Sequence, residues 1–112
     1  MEIHIITFSD ITALLVIIIY GDLTRRLPNA FASYWIQDCG VAAENILLRV
    51  TDLRLGAVWC GLHPQKVTED KVRNILKINE DEVPLCLLWI GYPNEEIISR
   101  DQYEEDRIVY SE

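Results

Sequence analysis

The sequence is short of the side chains from which most catalytic and metal sites are built. Its 112 residues include only two histidines, His4 and His63, and three widely spaced cysteines, Cys39, Cys60 and Cys86. An odd and scattered set of cysteines predicts neither a disulfide framework nor a zinc site. Nucleophile elbows, phosphate-binding glycine loops and His-Glu-x-x-His motifs do not occur either. From side chains alone we therefore predict no catalytic set and no metal site.

Positive charge and long apolar runs are also scarce. Ten lysines and arginines stand against 18 acids, the net charge is −8, and seven of the acids lie between Glu95 and Glu112. A nucleic-acid surface would need a basic cluster. The longest apolar run, Ala13–Tyr20, has eight residues, whereas a transmembrane helix needs roughly 20. With no basic segment of a secretory signal at the N-terminus, we expect a cytoplasmic protein that binds neither nucleic acid nor membrane.

The apolar pattern that is present predicts one α+β domain over residues 1–112. Residues 1–10 alternate only loosely and are expected to be irregular or a frayed edge. Thr12–Tyr20 is rich in β-branched residues without polar alternation, which favours a central strand covered on both faces. Ala57–Trp59 and Leu85–Ile90 are predicted to complete a small sheet.

Two helices are predicted to pack on this sheet. The longer candidate lies within Tyr34–Leu55, with the packed helix over Gln37–Leu55, Asp38 as a possible N-cap and Gly56 as the C-cap. Its apolar positions spread nearly all round, which favours a subunit interface in so small a protein. Thr68 is expected to open the second helix.

Several conspicuous side chains have an ordinary structural role as their default interpretation. The cysteines have apolar neighbours and are expected to be unreactive core thiols. His63 precedes a proline and is interpreted as an exposed loop histidine, while Trp59 and Trp89 lie in strand-like segments and are expected in the core. If the chain is an enzyme, the difficult chemistry then belongs to a bound cofactor.

Three blocks of sequence carry a more specific signal. They are Gln37-Asp38 at the start of the long helix, the Leu-Gly-Ala-Val-Trp-Cys-Gly block ending at Gly61, and the Ile-Gly-Tyr-Pro block ending at Pro93. In this order and spacing, the chain from about Leu15 to its C-terminus resembles the nitroreductase family of FMN-dependent oxidoreductases. The resemblance implies a small, mostly antiparallel sheet packed with helices, an intertwined homodimer, and hydride transfer from NAD(P)H to a nitro, quinone or similar acceptor.

The resemblance also implies which residues contact the cofactor. The backbone of Trp59, Cys60 and Gly61 would face the isoalloxazine ring of FMN, and Arg100 would bind its phosphate. The family usually places a second basic residue two positions after the first. Gln102 stands there in this chain, which implies one charge-assisted contact fewer.

The front of the chain departs from the family pattern. Members of the family normally begin with helices that hold an Arg-rich FMN motif, and no such motif precedes Thr12. The chain therefore resembles the C-terminal portion of a nitroreductase. Two hypotheses follow: an FMN-dependent oxidoreductase, or a non-catalytic remnant or dimerisation domain without a complete flavin site. An unrelated small acidic interaction module is a third.

Overall fold

The computed structural model describes residues 2–7, 13–96 and 98–111. Two strands come first, and helices and strands alternate after them. In chain order they are β1 (Glu2–Thr7), β2 (Ala13–Asp22), α1 (Tyr34–Asp52), β3 (Gly56–Gly61), α2 (Lys66–Leu76) and β4 (Glu82–Gly91), with 3-10 turns at Leu23–Arg25, Asn29–Phe31 and Glu105–Arg107.

The four strands form one antiparallel sheet in the order β1-β2-β4-β3. The predicted α+β fold and antiparallel sheet are confirmed. The first ten residues were predicted to be irregular or a frayed edge. For Glu2–Thr7 the irregular alternative was wrong, because these residues form an edge strand that pairs with β2 from Glu2 opposite Tyr20 to Thr7 opposite Leu15. β-Branched residues and an available neighbouring strand outweigh the imperfect alternation of this segment. The rest of the predicted segment, at 1 and 8–10, lies outside the described residues, as does Thr12.

The predicted central strand is confirmed, because β2 lies between β1 and β4 and is covered on both faces. Ile19 packs into a cluster with Cys39 and Ala43 of α1. Val16 and Ile18, which point to the opposite face, pack with Val72 of α2. The sheet is thus enclosed between the two helices, and each fully buried aliphatic side chain contributes about 1.5–3 kcal/mol.

Helix α1 begins earlier than Asp38, which was predicted as its cap. The helix starts at Tyr34 after Ser33, so Asp38 lies one turn inside it and is exposed. In the first turn of α1, Trp35 packs directly over Gly21 of β2. A Cβ added at Gly21 would lie 2.3 Å from Cε3 of Trp35.

The end of α1 also differs from the prediction, because Gly56 is the first residue of β3 and does not cap the helix. Arg54 takes the left-handed conformation, with φ of 60°. The amide of Arg54 donates to the carbonyl of Thr51 at 2.9 Å, and that of Leu55 donates to Val50 at 2.9 Å. This is the Schellman arrangement, in which a non-glycine residue carries a steric cost.

Helix α2 begins at Lys66, two residues before the predicted start at Thr68. The Thr68 hydroxyl donates to Oε1 of Gln65 at 3.1 Å and caps no backbone amide. Strand β4 likewise begins before its predicted limit, at Glu82. Pro84 lies within β4 at a shift in the β2–β4 register, which is where a strand interior tolerates proline. Among the described residues, no helix combines the length and apolarity that crossing a membrane requires.

Candidate functional site

The predicted cofactor-contact residues Trp59, Cys60 and Gly61 are the last three residues of β3. They lie opposite Leu88, Leu87 and Cys86 of β4, and β3 pairs with no other described strand. Among the described residues, one backbone edge of β3 is therefore open. An open edge presents unpaired N–H and C=O groups at which a ligand or another strand can bind.

The strand register indicates which amides face this open edge. The amide of Leu62, just after β3, donates to the carbonyl of Leu85 at 2.8 Å. Backbone groups in an antiparallel pair alternate between facing the partner strand and facing away. With the unshifted β3–β4 register, this alternation directs the amide of Cys60 toward β4 and those of Trp59 and Gly61 toward the open edge. The alternation therefore favours Gly61 over Cys60 as the donor to a ligand bound there.

Gly61 is not required by the packing of the protein itself. A Cβ added at Gly61 would meet no atom within 4 Å, and the backbone has no positive φ at any described glycine. Neither internal contact nor backbone conformation thus explains why this position lacks a side chain. Space above a glycine lets a flat group approach the peptide directly.

The tryptophans beside this edge are more exposed than predicted. The exposed fraction is 42% for Trp59 and 37% for Trp89, so the prediction of core positions was wrong. Trp59 and Val58 are consecutive in β3, and Val58 lies opposite Trp89, so the two indoles lie on opposite faces of the sheet. The end of the sheet formed by β3 and β4 therefore presents aromatic surface on both faces.

Arg100 lies apart from these residues. It is exposed in the coil after β4, and within the described part of the chain no hydrogen bond or ion pair holds it. Its neighbour Ser99 lines a groove of about 450 Å³ with Arg54 and Leu55, at the beginning of β3. Gly61 is at the opposite end of β3. At 3.3–3.4 Å per residue, it lies about 17 Å from Gly56, the first residue of that strand.

A second groove, of about 490 Å³, runs from the beginning of β3 over the end of β4. Its floor is apolar and its rim is formed by the coil that leads toward Arg100. The lining residues are Gly56, Ala57, Val58, Trp89, Ile90, Gly91, Tyr92, Pro93, Asn94 and Glu95. A groove of this kind connects the Arg100 end of β3 with the aromatic surface of the sheet.

A cluster of charged side chains beside the turn after Gly61 was not predicted from the sequence. The prediction that His63 is an exposed loop histidine was wrong, because its side chain is only 27% exposed and its Nδ1 lies 2.5 Å from Oε1 of Glu69. Only 5% of Glu69 is exposed, and its other carboxylate oxygen lies 3.8 Å from Nη1 of Arg73. His63 and Glu69 are six residues apart across a loop and a helix start, and no regular spacing signals such a contact.

The three cysteines differ in their surroundings. Cys39 and Cys86 are fully buried, and Cys60 is half-buried. Burial raises the pKa of the Cys39 thiol, and burial with the neighbouring cysteines raises that of Cys86 to about 11. The predicted core position is therefore confirmed for Cys39 and Cys86 and was wrong for Cys60. A raised pKa keeps a thiol in its less reactive protonated form at neutral pH.

Proteins of known sequence show a clear relationship to this chain. A sequence model described as the nitroreductase family matches residues 8–92. A protein of Methanothermobacter thermautotrophicus, provisionally named NADH dehydrogenase/NAD(P)H nitroreductase, is 40% identical over 100 residues, covering 80% of this chain and 52% of its own. A protein of the same provisional name from Archaeoglobus fulgidus is 40% identical over 97 residues, covering 73% and 54%. The chain thus spans about half the length of these curated relatives.

Solved structures agree with this relationship. A crystal structure from Bacteroides thetaiotaomicron, with the same provisional name, has a TM-score of 0.83 and 29% identity, covering 97% of this chain and 70% of that one. A Desulfitobacterium hafniense nitroreductase with bound FMN shares the fold, with a TM-score of 0.65 and 22% identity, over 89% and 52% of the two chains. From the family match, the two relatives and the common fold, we conclude that this chain belongs to the nitroreductase family.

Proposed function

We propose that the chain forms the FMN-contacting core of an oxidoreductase that takes hydride from NAD(P)H and passes it to a nitro, quinone or similar acceptor. The observation that carries this proposal is the open edge of β3 ending at Gly61, where the peptide is unobstructed. The edge lies in the block that resembles the family's flavin-contact segment. Family membership and the FMN found in the Desulfitobacterium hafniense structure support the choice of cofactor.

In this proposal the chain contributes peptide groups more than side chains. FMN supplies the electron-transfer chemistry when bound. With FMN bound, the Gly61 amide would donate a hydrogen bond to the edge of the ring, where a fixed dipole would stabilise negative charge. Trp59 and Cys60 border the same edge. The Cys60 thiol is not used, so Cys60→Ser should leave flavin chemistry largely intact, and its loss in a folded variant would contradict the assignment.

Arg100 is proposed to bind the phosphate of FMN. Its guanidinium is free of protein partners in the described part of the chain and suits bidentate contact with phosphate. Arg100 lies near the start of β3 and Gly61 at its end. In this proposal FMN therefore extends along β3, with its phosphate near the start of the strand and its ring near the end. Gln102, two positions later, offers a neutral amide in place of the family's second cation.

A homodimer is proposed on the outer face of α1. Val41 and Leu48 of this helix are 62% and 60% exposed, and Tyr34, seven residues before Val41, is also exposed on it. Apolar side chains repeated along one helix favour burial against a second copy. Light scattering during gel filtration should give twice the 13.0 kDa monomer mass, whereas a monomer at every concentration would contradict this. A cytoplasmic location remains a prediction.

The decisive experiment is an absorbance spectrum of the protein as purified, followed by titration with FMN. We expect flavin bands that co-elute with protein and bleach when NADH is added. FMN that elutes as free in the presence of the protein as in buffer would refute the proposed function for this chain.

The alternative proposal is a non-catalytic remnant or dimerisation domain. It is favoured by Gln102, which leaves Arg100 as the single proposed cation for the phosphate. Under this alternative, the protein would form the α1 dimer and bind no FMN. Stoichiometric FMN that is bleached by NADH would rule it out.

A further inference from the structure

We infer that His63 is a positioning residue for the proposed cofactor site: by pairing with the buried Glu69, it fixes the turn that holds the Gly61 peptide in place. The inference rests on the proposed function, because it is the flavin that gives the position of Gly61 its importance. His63 itself is not proposed to touch the cofactor.

The turn after β3 is tied to the sheet by its backbone. The amides of Leu62 and His63 both donate to the carbonyl of Leu85, at 2.8 and 3.1 Å. The Leu62 side chain is buried with 3% of its surface exposed. Gly61 precedes these anchors directly, so any movement of the turn is passed to its peptide group.

The side chain of His63 is held between the two helices. On one side its ring meets that of Trp35 of α1 edge to face, with centroids 5.1 Å apart and planes at 63°. On the other side Nδ1 lies 2.5 Å from Oε1 of Glu69 in α2. In the imidazole tautomer that carries its proton on Nδ1, this nitrogen donates to the Glu69 carboxylate. The ring therefore links α1, the turn and α2.

Glu69 is in turn held from behind by Arg73. The two side chains lie within 3.8 Å, and Nε of Arg73 donates to the carbonyl of Glu82 at 3.0 Å. Arg73 also contacts Asp70 at 3.0 Å. The chain of contacts thus runs from the turn through α2 to the first residue of β4, which is the strand that pairs with β3. A buried carboxylate held from two sides resists displacement.

Losing the His63 contact should therefore loosen the Gly61 edge without unfolding the sheet. Hydrogen bonds weaken steeply with distance and angle, and binding groups must be held to within about 0.5 Å to act. A displaced Gly61 amide would lose its bond to the ring. We expect FMN affinity to fall about tenfold, which corresponds to one lost hydrogen bond.

The test compares three variants of the full chain. His63→Leu removes the donor and keeps an apolar side chain against Trp35. His63→Asn keeps an amide donor close to the position of Nδ1 and should rescue FMN binding. Lys66→Gln is the matched control, because it breaks the exposed 3.2 Å pair of Lys66 with Asp70 in the same helix. Each variant is titrated with FMN well below its melting temperature.

A second readout does not depend on FMN. In the cofactor-free protein, the amide NMR signals of Gly61 and Leu62 should shift or broaden in His63→Leu, return in His63→Asn and stay unchanged in Lys66→Gln. A general loss of stability would change signals throughout the sheet instead. Altered Gly61 signals together with about tenfold weaker FMN binding in His63→Leu, both restored in His63→Asn, support the inference.

Two results would overturn the inference. One is FMN affinity in folded His63→Leu that equals the wild-type value. The other is a Gly61 amide signal that is the same in both proteins. If the wild-type chain binds no FMN, the proposed function fails, and the NMR comparison still decides whether His63 positions the Gly61 edge.

Discussion

Replacing Gly61 by valine should separate ligand binding from folding, because the structure gives the two processes opposite responses. A Cβ at Gly61 meets no atom of the described residues within 4 Å. The first carbon of the added side chain therefore has open space around it, and replacing a glycine removes conformational freedom from the unfolded chain. We expect the free energy of unfolding of the cofactor-free protein to stay the same or rise by about 0.5–1 kcal/mol.

The same substitution should damage FMN binding. The side chain would occupy the space through which a flat ring must approach the Gly61 peptide. Excluding the ring removes at least one hydrogen bond and its packing, so FMN affinity should fall at least about tenfold. Flavin fluorescence titration measures this loss, and circular dichroism melts of the same samples measure the stability.

Two other glycines serve as controls. Gly40 of α1 also has no atom within 4 Å of an added Cβ, so Gly40→Ala should stabilise the helix by about 0.5–1 kcal/mol and leave FMN affinity unchanged. Gly21 is the opposite case, because a Cβ there would lie 2.3 Å from Trp35. Gly21→Ala should cost about 1–3 kcal/mol, or roughly 4–15 °C in Tm.

Two results for Gly61→Val would contradict these expectations. If Gly61→Val binds FMN as the wild type does, Gly61 does not contact the flavin. If Gly61→Val destabilises the cofactor-free protein as much as Gly21→Ala does, the glycine serves folding, and the argument from open space is wrong.

Three further predictions concern other parts of the chain. Arg54→Gly should stabilise the protein by about 1 kcal/mol in thermal melts, because it relieves the left-handed conformation at the end of α1; an unchanged Tm would contradict that cost. The Cys86 thiol has a raised pKa of about 11, so it stays protonated in the folded protein at a pH where the unfolded chain loses that proton. The free energy of unfolding should therefore fall as pH rises from 9 to 11. The slope of this free energy against pH should be smaller in Cys86→Ala, and equal slopes would refute the prediction. Arg100→Gln should weaken FMN binding about tenfold or more and reduce its salt dependence without changing Tm; an unchanged FMN affinity would remove Arg100 from the site.

The sequence by itself determined the elements whose signals are local. Consecutive β-branched residues require burial on both faces, so β2 could be recognised as a central strand. Apolar residues at helical spacing identified α1, and three ordered blocks identified the family. These signals depend on the neighbours of each residue along the chain. Both elements, β2 and α1, are present in the structure.

Element ends were less predictable, because the fold offers alternatives that one stretch of sequence does not reveal. The sequence predicts Gly56 as the C-cap of α1. In the structure Arg54 has the left-handed conformation at the helix end, and Gly56 is the first residue of β3. Two consecutive hydrogen bonds at the helix end compensate part of that cost. Asp38 similarly lost its capping role because α1 begins at Tyr34.

Only the tertiary structure decided the exposure of the aromatic residues and the partner of His63. An apolar strand has the same composition whether it lies inside a sheet or at its edge, and the place of β3 at the edge leaves Trp59 exposed. His63 meets Glu69 because the turn after β3 brings the start of α2 back beside it. Contacts of this kind depend on how whole elements pack, which is why Gly61 could be proposed as a cofactor contact from the sequence, whereas the open edge of β3 and the contacts beside it could not be predicted.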